Sequence, residues 1–175
     1  MWYDINTKLF LLINASDQAS KSFIYFAIFC ANYLMFFPII MLAGYWFLKP
    51  DYRQSIVKIM VSLVLALLIS FVIRHLFYSP RPFALDVGTH YLYHETNSSL
   101  PSQHAVFVWT LFFSIFFNTK QQVKKLYYCC FIVALLVCWS RIYLGIHWPL
   151  DIIISFIVSL LSAYFVSKSW VAFLK

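Results

Sequence analysis

The chain has 175 residues, of which 63% are hydrophobic, 21% aromatic and only 11% charged. Soluble domains carry roughly a quarter charged residues, so these proportions exclude a soluble monomer, a disordered chain and a disulfide scaffold. The net charge of +7 would suggest nucleic acid in a soluble protein; here its distribution matters more than its total, and no nucleic-acid partner is expected.

The chain begins with an apolar stretch, Ile5 to Ile13, interrupted by polar residues, which predicts an amphipathic helix lying in the membrane interface. Met1 to Phe10 has neither a basic start nor a small-residue cleavage site, so no cleavable signal peptide is expected. Five apolar runs follow, judged against the ~20 residues a helix needs to cross a bilayer. The first covers Phe23 to Leu48, with Asn32 and Pro38 inside it, and is long enough to tilt. The second runs from Ile56 to Phe77, and the third, His104 to Phe117, is short. The fourth covers Leu126 to Tyr143 and the fifth Pro149 to Val166. The one sizeable loop is Ser79 to Ser102. The expected architecture is therefore an all-α integral membrane protein, one domain spanning residues 1–175, with about five transmembrane helices and an N-terminal interfacial helix. Cys30, Cys129, Cys130 and Cys138 lie inside apolar runs and read as small buried hydrophobes, with neither metal nor disulfide spacing. The abundant Phe, Tyr and Trp read as lipid-facing bulk and interfacial belts.

Lys and Arg in the flanks set the orientation. Of the 13, eight fall on one side: Lys49, Arg53, Lys58, Lys120, Lys124, Lys125, Lys168 and Lys175. That side is expected to be cytoplasmic, along with the carboxyl terminus. The amino terminus and the Ser79–Ser102 loop then face outward.

Arg74, Arg141 and Asp151 interrupt apolar runs. A charge at mid-helix costs at least ~2.5–3.5 kcal/mol on insertion scales, and membrane proteins retain such residues when they pair, face a cavity or serve a site. The five-span arrangement collects all three at the outer helix ends. Arg81, Ser102, His104 and His147 join them there. The arginine surplus makes such a pocket positive, and planar guanidinium groups suit a phosphate. Backbone N–H groups at the start of the third span, beside Ser102, add an anion-binding helix terminus. His147 and Asp151 are four apart, and Pro149 is placed to open the helix between them. Asp151 can then fix the imidazole tautomer, leaving the other ring nitrogen free to attack phosphorus. His104, from another helix, can act as acid on the far side. One Asp is too few for a Mg²⁺ site.

Arg74-x6-Arg81-Pro82, then Pro101-Ser102-Gln103-His104, then Ser140-Arg141-x5-His147-x3-Asp151 resembles the three-part signature of the type 2 phosphatidic acid phosphatase superfamily. Leu11-Leu12-Ile13-Asn14-Ala15, Arg81-Pro82-Phe83 and Trp139 through Asp151 look like its bacitracin-resistance subgroup of undecaprenyl-diphosphatases. The resemblance implies metal-independent, cofactor-free phosphate release through a phosphohistidine. His147 is then the nucleophile, Asp151 its orienting partner and His104 the acid and later the base. Arg81, Arg141 and Ser102 bind the phosphoryl group, with Arg74 helping. Two positions depart from the pattern. Arg74 stands where Lys is common. Gln103 stands where Gly or Asp is common, and its larger amide either crowds the site or contacts the phosphate. The expected reaction is hydrolysis of undecaprenyl diphosphate at the outer face of a bacterial inner membrane. The alternatives are transfer of that phosphate to lipid A, hydrolysis of phosphatidic acid or phosphatidylglycerophosphate, and lipid or anion transport. His90, His94 and Glu95 read as a solvated loop.

Overall fold

A computed structural model describes residues 2–118 and 124–173. Lys120 and Lys175 lie outside them, as do the side chains of Lys124 and Lys125. The order is α1 (Trp2–Ile13), α2 (Lys21–Asn32), α3 (Phe36–Leu48), a 3₁₀ turn (Pro50–Tyr52), α4 (Arg53–Leu76), a second 3₁₀ turn (Pro82–Leu85), α5 (Gln103–Asn118), α6 (Lys124–Tyr143) and α7 (Pro149–Phe173). The described residues contain no strand. Four stretches are long and apolar enough to cross a membrane: Lys21–Leu48, Pro50–Leu76, Leu126–Tyr143 and Pro149–Trp170. The chain is a multi-pass membrane protein.

The first span is two helices rather than one. Proline cannot donate an N–H, and its ring clashes with the carbonyl four residues earlier. For Pro38 that carbonyl belongs to Leu34, which instead accepts a hydrogen bond from Phe37 N at 3.2 Å. The helix accordingly breaks over Tyr33–Met35.

The short α5 occupies the centre, packed against α4, α6 and α7, and α4 also packs against α7. Ten of the eleven residues from Ala105 to Ile115 in α5, all but Phe107, are buried. A helix that is apolar on every side belongs inside a bundle. Small residues let its neighbours approach: Ser62, Ala66 and Ser70 on α4, and Ser155, Ser159 and Ala163 on α7, are all buried. Ser159 Oγ donates to Val106 O at 2.9 Å, tying α7 to α5. Many aromatics are core rather than lipid-facing, because α5 presents them to three neighbours. The Trp109 ring lies 4.9 Å from Phe156 and 5.6 Å from Phe112, centroid to centroid. The lipid-facing side of the bundle is aliphatic as well, with Leu68, Ile132 and Leu161 more than half exposed.

At one end of the bundle, Ser167 Oγ donates to Phe117 O and the Lys58 ammonium sits 5.6 Å from the Trp170 ring centre. The start of α4 and the ends of α5 and α7 therefore share that end. The opposite end carries the long loop, the α6–α7 connection and α1. Helix α1 lies against α6 and α7. Its Phe10 is fully buried beside Trp148, whereas Leu12 is 81% exposed.

A polar knot fastens this end. Asn14 Nδ2 donates to Thr89 O at 3.1 Å and to Tyr143 O at 3.0 Å, while Asn14 Oδ1 accepts from Thr89 N at 2.7 Å. Two glycines make the close approach possible. Gly88 (φ +71°) and Gly145 (φ +80°) are left-handed, and a Cβ on them would lie 2.3 Å from Asn14 Oδ1 and 2.0 Å from Thr89 O.

Candidate active site

The connection between α6 and α7 delivers His147. Helix α6 ends at Tyr143, Gly145 turns the chain, and α7 begins at Pro149, whose missing N–H costs nothing at a first helical position. Asp151 in the first turn reaches back, its Oδ2 accepting from Trp148 N at 2.9 Å. This is the carboxylate half of a capping box. The same oxygen lies 3.2 Å from His147 Nδ1 and accepts from Ser99 Oγ. Ser99 Oγ is also 3.2 Å from His147 Nδ1. A carboxylate only accepts, so Nδ1 carries the proton and Nε2 is bare. Burial first, then the charges of Arg141 and Arg81, push the His147 imidazole well below its usual range, so the ring is neutral near pH 7.

Arg81 follows α4 and is 1% exposed. Its Nη1 is 3.2 Å from His147 Nε2 and donates to Ile146 O at 3.0 Å. Its Nη2 donates to Asn97 Oδ1 at 2.8 Å, and its Nε to Asn97 O at 3.2 Å. Burial and the neighbouring Arg74 lower the Arg81 pKa to about 10, which leaves it a cation at neutral pH. Arg74, near the end of α4, shares the same acceptor: its Nη2 donates to Asn97 Oδ1 at 2.9 Å and its Nη1 to Pro101 O at 3.0 Å.

The helix side of the site is different. Arg141, in the last turn of α6, is 2% exposed, yet its Nε and Nη2 have no hydrogen-bond partner. Ser102 is buried at the start of α5, where its carbonyl accepts from Val106 N at 2.9 Å. Its hydroxyl performs no capping: Ser102 Oγ is unpartnered. Ser155 Oγ instead takes the Ser102 backbone N–H at 3.0 Å. Unpaired buried donors are expensive, several kcal/mol for an ion. A guanidinium and a hydroxyl left without partners, at the end of the bundle where α5 begins, are the kind of donors a tetrahedral oxyanion takes.

His104 is half-buried in the first turn of α5, with Arg141, His94 and Arg81 as its electrostatic neighbours. Gln103 sits at the exposed first position of α5, and its side chain makes no hydrogen bond to the described residues. The structure thus gathers Arg74, Arg81, Ser102, His104, Arg141, His147 and Asp151 at one end of the bundle, and leaves Gln103 on the rim.

Three loop residues belong to the site without having been singled out for it. Asn97 bridges Arg74 and Arg81, and Ser99 bridges His147 and Asp151. His94 is no solvated loop residue: it is half-buried with its ring 6.2 Å from that of His147. His90, by contrast, is exposed and stacks on Phe83. Glu95 is also exposed, and accepts from Asn97 Nδ2 at 3.2 Å.

The sequence model of the PAP2 superfamily matches residues 55–174. The chain is 32% identical over 154 residues to the putative undecaprenyl-diphosphatase YbjG of Escherichia coli K12, covering 87% of this chain and 76% of that protein. It is 30% identical over 165 residues to the bacitracin transport permease protein BcrC of Bacillus licheniformis, covering 93% and 79%. Among solved structures, LpxE of Aquifex aeolicus superposes with a TM-score of 0.73 at 22% identity, over 94% of this chain and 95% of that one.

Proposed function

Because this chain belongs to the PAP2 superfamily, we propose that it is a membrane phosphatase that hydrolyses undecaprenyl diphosphate to undecaprenyl phosphate and inorganic phosphate, recycling the lipid carrier for cell-wall synthesis. The observation that carries the reading is the set of unpartnered donors on Arg141 and Ser102, facing the same site as a neutral histidine whose tautomer Asp151 fixes. The name of the Escherichia coli relative supports the choice of substrate. An apolar cleft of about 450 Å³ between α3, α4 and α5 has Phe107, one helical turn from His104, at its near end and Trp46 and Met60 toward the opposite end of the bundle, a length that supports a long apolar tail.

The terminal phosphoryl group sits between Arg141, Arg81, Ser102 Oγ and the α5 N-terminus, with Arg74 behind Arg81. These groups act where charge develops in the transition state. His147 Nε2 forms the N–P bond as the bridging P–O bond breaks. Asp151 stabilises the charge that appears on the ring. His104 gives its proton to the departing undecaprenyl phosphate, then accepts one from the water that cleaves the phosphohistidine. No step calls for a metal ion.

Sidedness follows from the charge distribution. Lys49, Arg53 and Lys58 lie at the end of the bundle opposite the site, and basic residues favour the cytoplasm. The site then faces outward and the carboxyl terminus inward, in a bacterial plasma membrane.

The test is purified protein in detergent, given undecaprenyl diphosphate, phosphatidic acid and phosphatidylglycerophosphate, with free phosphate measured. Undecaprenyl diphosphate should be preferred, and the phosphate should appear free rather than on an added lipid acceptor. Turnover in detergent, where nothing can be transported, also separates hydrolysis from the transport role in the name of the Bacillus licheniformis relative. Absence of phosphate release from undecaprenyl diphosphate sinks the reading.

A further inference from the structure

The three-part signature accounts for His104 and His147 but leaves His94 unused, although the fold brings it to the same place. His94 sits on the outer loop, ten residues before His104. It is half-buried, and its ring meets that of His147 edge to face, with centroids 6.2 Å apart and planes at 77°. Arg81, Arg141 and Arg74 are all within electrostatic reach of it, and it is in turn a neighbour of His104. A histidine placed among cations gains nothing from them. Burial, then Arg81 and Arg141, push its pKa down to about 4, so the ring is neutral at pH 7.

Its tautomer can be read from the one hydrogen bond it makes. His94 Nδ1 lies 3.3 Å from the carbonyl oxygen of Glu95. A carbonyl only accepts, so Nδ1 carries the proton. Nε2, on the other edge of the ring, is then a bare acceptor in a site otherwise lined by donors. An acceptor among arginines has no use for a fully ionised phosphate oxygen, which only accepts. It suits an oxygen that still carries a proton. A terminal phosphoryl group keeps one below its second pKa of about 6, and at pH 7 in the minority of molecules that such an acceptor would select. Near-attack geometry puts phosphorus roughly 3–3.5 Å from the nucleophilic nitrogen. A ring centred 6.2 Å from that of His147 is close enough to reach an oxygen of a phosphoryl group held there.

We propose that His94 is a third substrate-contacting histidine, whose Nε2 accepts a hydrogen bond from the protonated oxygen of the terminal phosphoryl group that His147 attacks. This rests on the phosphatase reading above. It gives His94 a job the arginines cannot perform: orienting the one P–OH, so that the remaining oxygens face Arg141, Arg81 and Ser102. The substrate class it fits is a terminal phosphate, which carries an ionisable hydroxyl. A phosphodiester has no such hydroxyl to offer.

Two substitutions separate substrate contact from loop packing. His94→Asn keeps a polar atom near Nδ1, and with it the bond to the Glu95 carbonyl, but places nothing at Nε2. His94→Gln reaches the Nε2 position with an oxygen acceptor. Wild type and both variants are compared for kcat/KM on undecaprenyl diphosphate, for competitive inhibition by inorganic phosphate, and for phosphate binding by ³¹P line broadening, which needs no turnover. Loss of a hydrogen bond to a charged group corresponds to about tenfold to a hundredfold. His94→Asn should weaken phosphate binding and lower kcat/KM by that factor, and His94→Gln should recover most of both. The proposal is overturned if His94→Asn binds phosphate as wild type does, or if His94→Gln is no better than His94→Asn. The phosphatase reading fails separately, if wild type binds phosphate but releases none from any lipid.

Discussion

On the loop side of the site, every guanidinium nitrogen of Arg81 has a partner, and its neighbour Arg74 is anchored to the same Asn97 oxygen. On the helix side, Nε and Nη2 of Arg141 have none, although that residue is just as deeply buried. The two walls face one histidine, but their donors are in opposite states. The loop wall is assembled in advance: it holds the chain in register and keeps Arg81 within 3.2 Å of His147 Nε2. The helix wall carries an uncompensated cation, whose partner in the proposed mechanism is the phosphoryl group. On the proposed mechanism, one arginine then serves stability and catalysis together, and the other chiefly catalysis.

The largest effect comes from removing what both walls serve. His147→Ala should reduce phosphate release to background and abolish any acid-labile, base-stable phosphoenzyme. His104→Ala should also be nearly inactive on the lipid, since positioned acid–base groups contribute roughly 10²–10⁴-fold. With an aryl phosphate, whose leaving group needs little protonation, the His104→Ala protein should accumulate label on His147 and stall. Label on His104 in the His147→Ala protein would reverse the two roles.

Next in size is the contrast between the arginines, made at constant volume. Arg141→Met should lower kcat/KM by about 10²–10³-fold, the loss typical of one oxyanion donor, and leave the melting temperature in detergent unchanged or higher. Arg81→Met should lose comparable activity and also destabilise the fold by roughly 1–3 kcal/mol, because it strands the carbonyls of Ile146 and Asn97. Equal melting temperatures for the two variants would remove the distinction between the walls.

A smaller effect is expected from Asn97→Ala. It removes the oxygen that Arg74 and Arg81 share but keeps the backbone acceptor, so activity should fall about tenfold, the low end for a hydrogen bond to a charged group. The smallest effect is none at all. With guanidinium groups to neutralise the phosphoryl charge, turnover should be the same in EDTA as in a divalent cation; loss in EDTA that is restored by metal would refute the mechanism.

The sequence made the helix wall legible and hid much of the loop wall. Arg141 and Asp151 stand out because a charge in an apolar run needs a reason, and Pro149 marks the helix start that joins Asp151 to His147. Pro38 was visible too, but reading Phe23–Leu48 as one run overlooked what its ring does to the Leu34 carbonyl. Asn97, Ser99 and His94 lie in a loop with no periodicity, where a polar residue is the expected filling. Their partners come from far along the chain: Ser99 meets a carboxylate 52 residues away. A span pattern says where helices end, not which loop side chain turns inward between them. The interior position of Trp109, Phe112 and Phe113 escaped for a related reason, since a uniformly apolar helix does not announce which of its faces meets lipid.

The knot around Asn14 separates the stretch of chain that carries the chemistry from the stretch that keeps it in shape. The family match begins at residue 55, and every histidine and arginine of the site lies after it. Yet the turn leading to His147 is buttressed by an amide that lies well before that boundary, at Asn14, through Tyr143 O and Thr89. Two strictly local features, a pair of left-handed glycines, leave room for that amide and for the Thr89 carbonyl it binds. Trimming the protein to its recognisable core would keep all the reagents and discard the clamp stand that holds them.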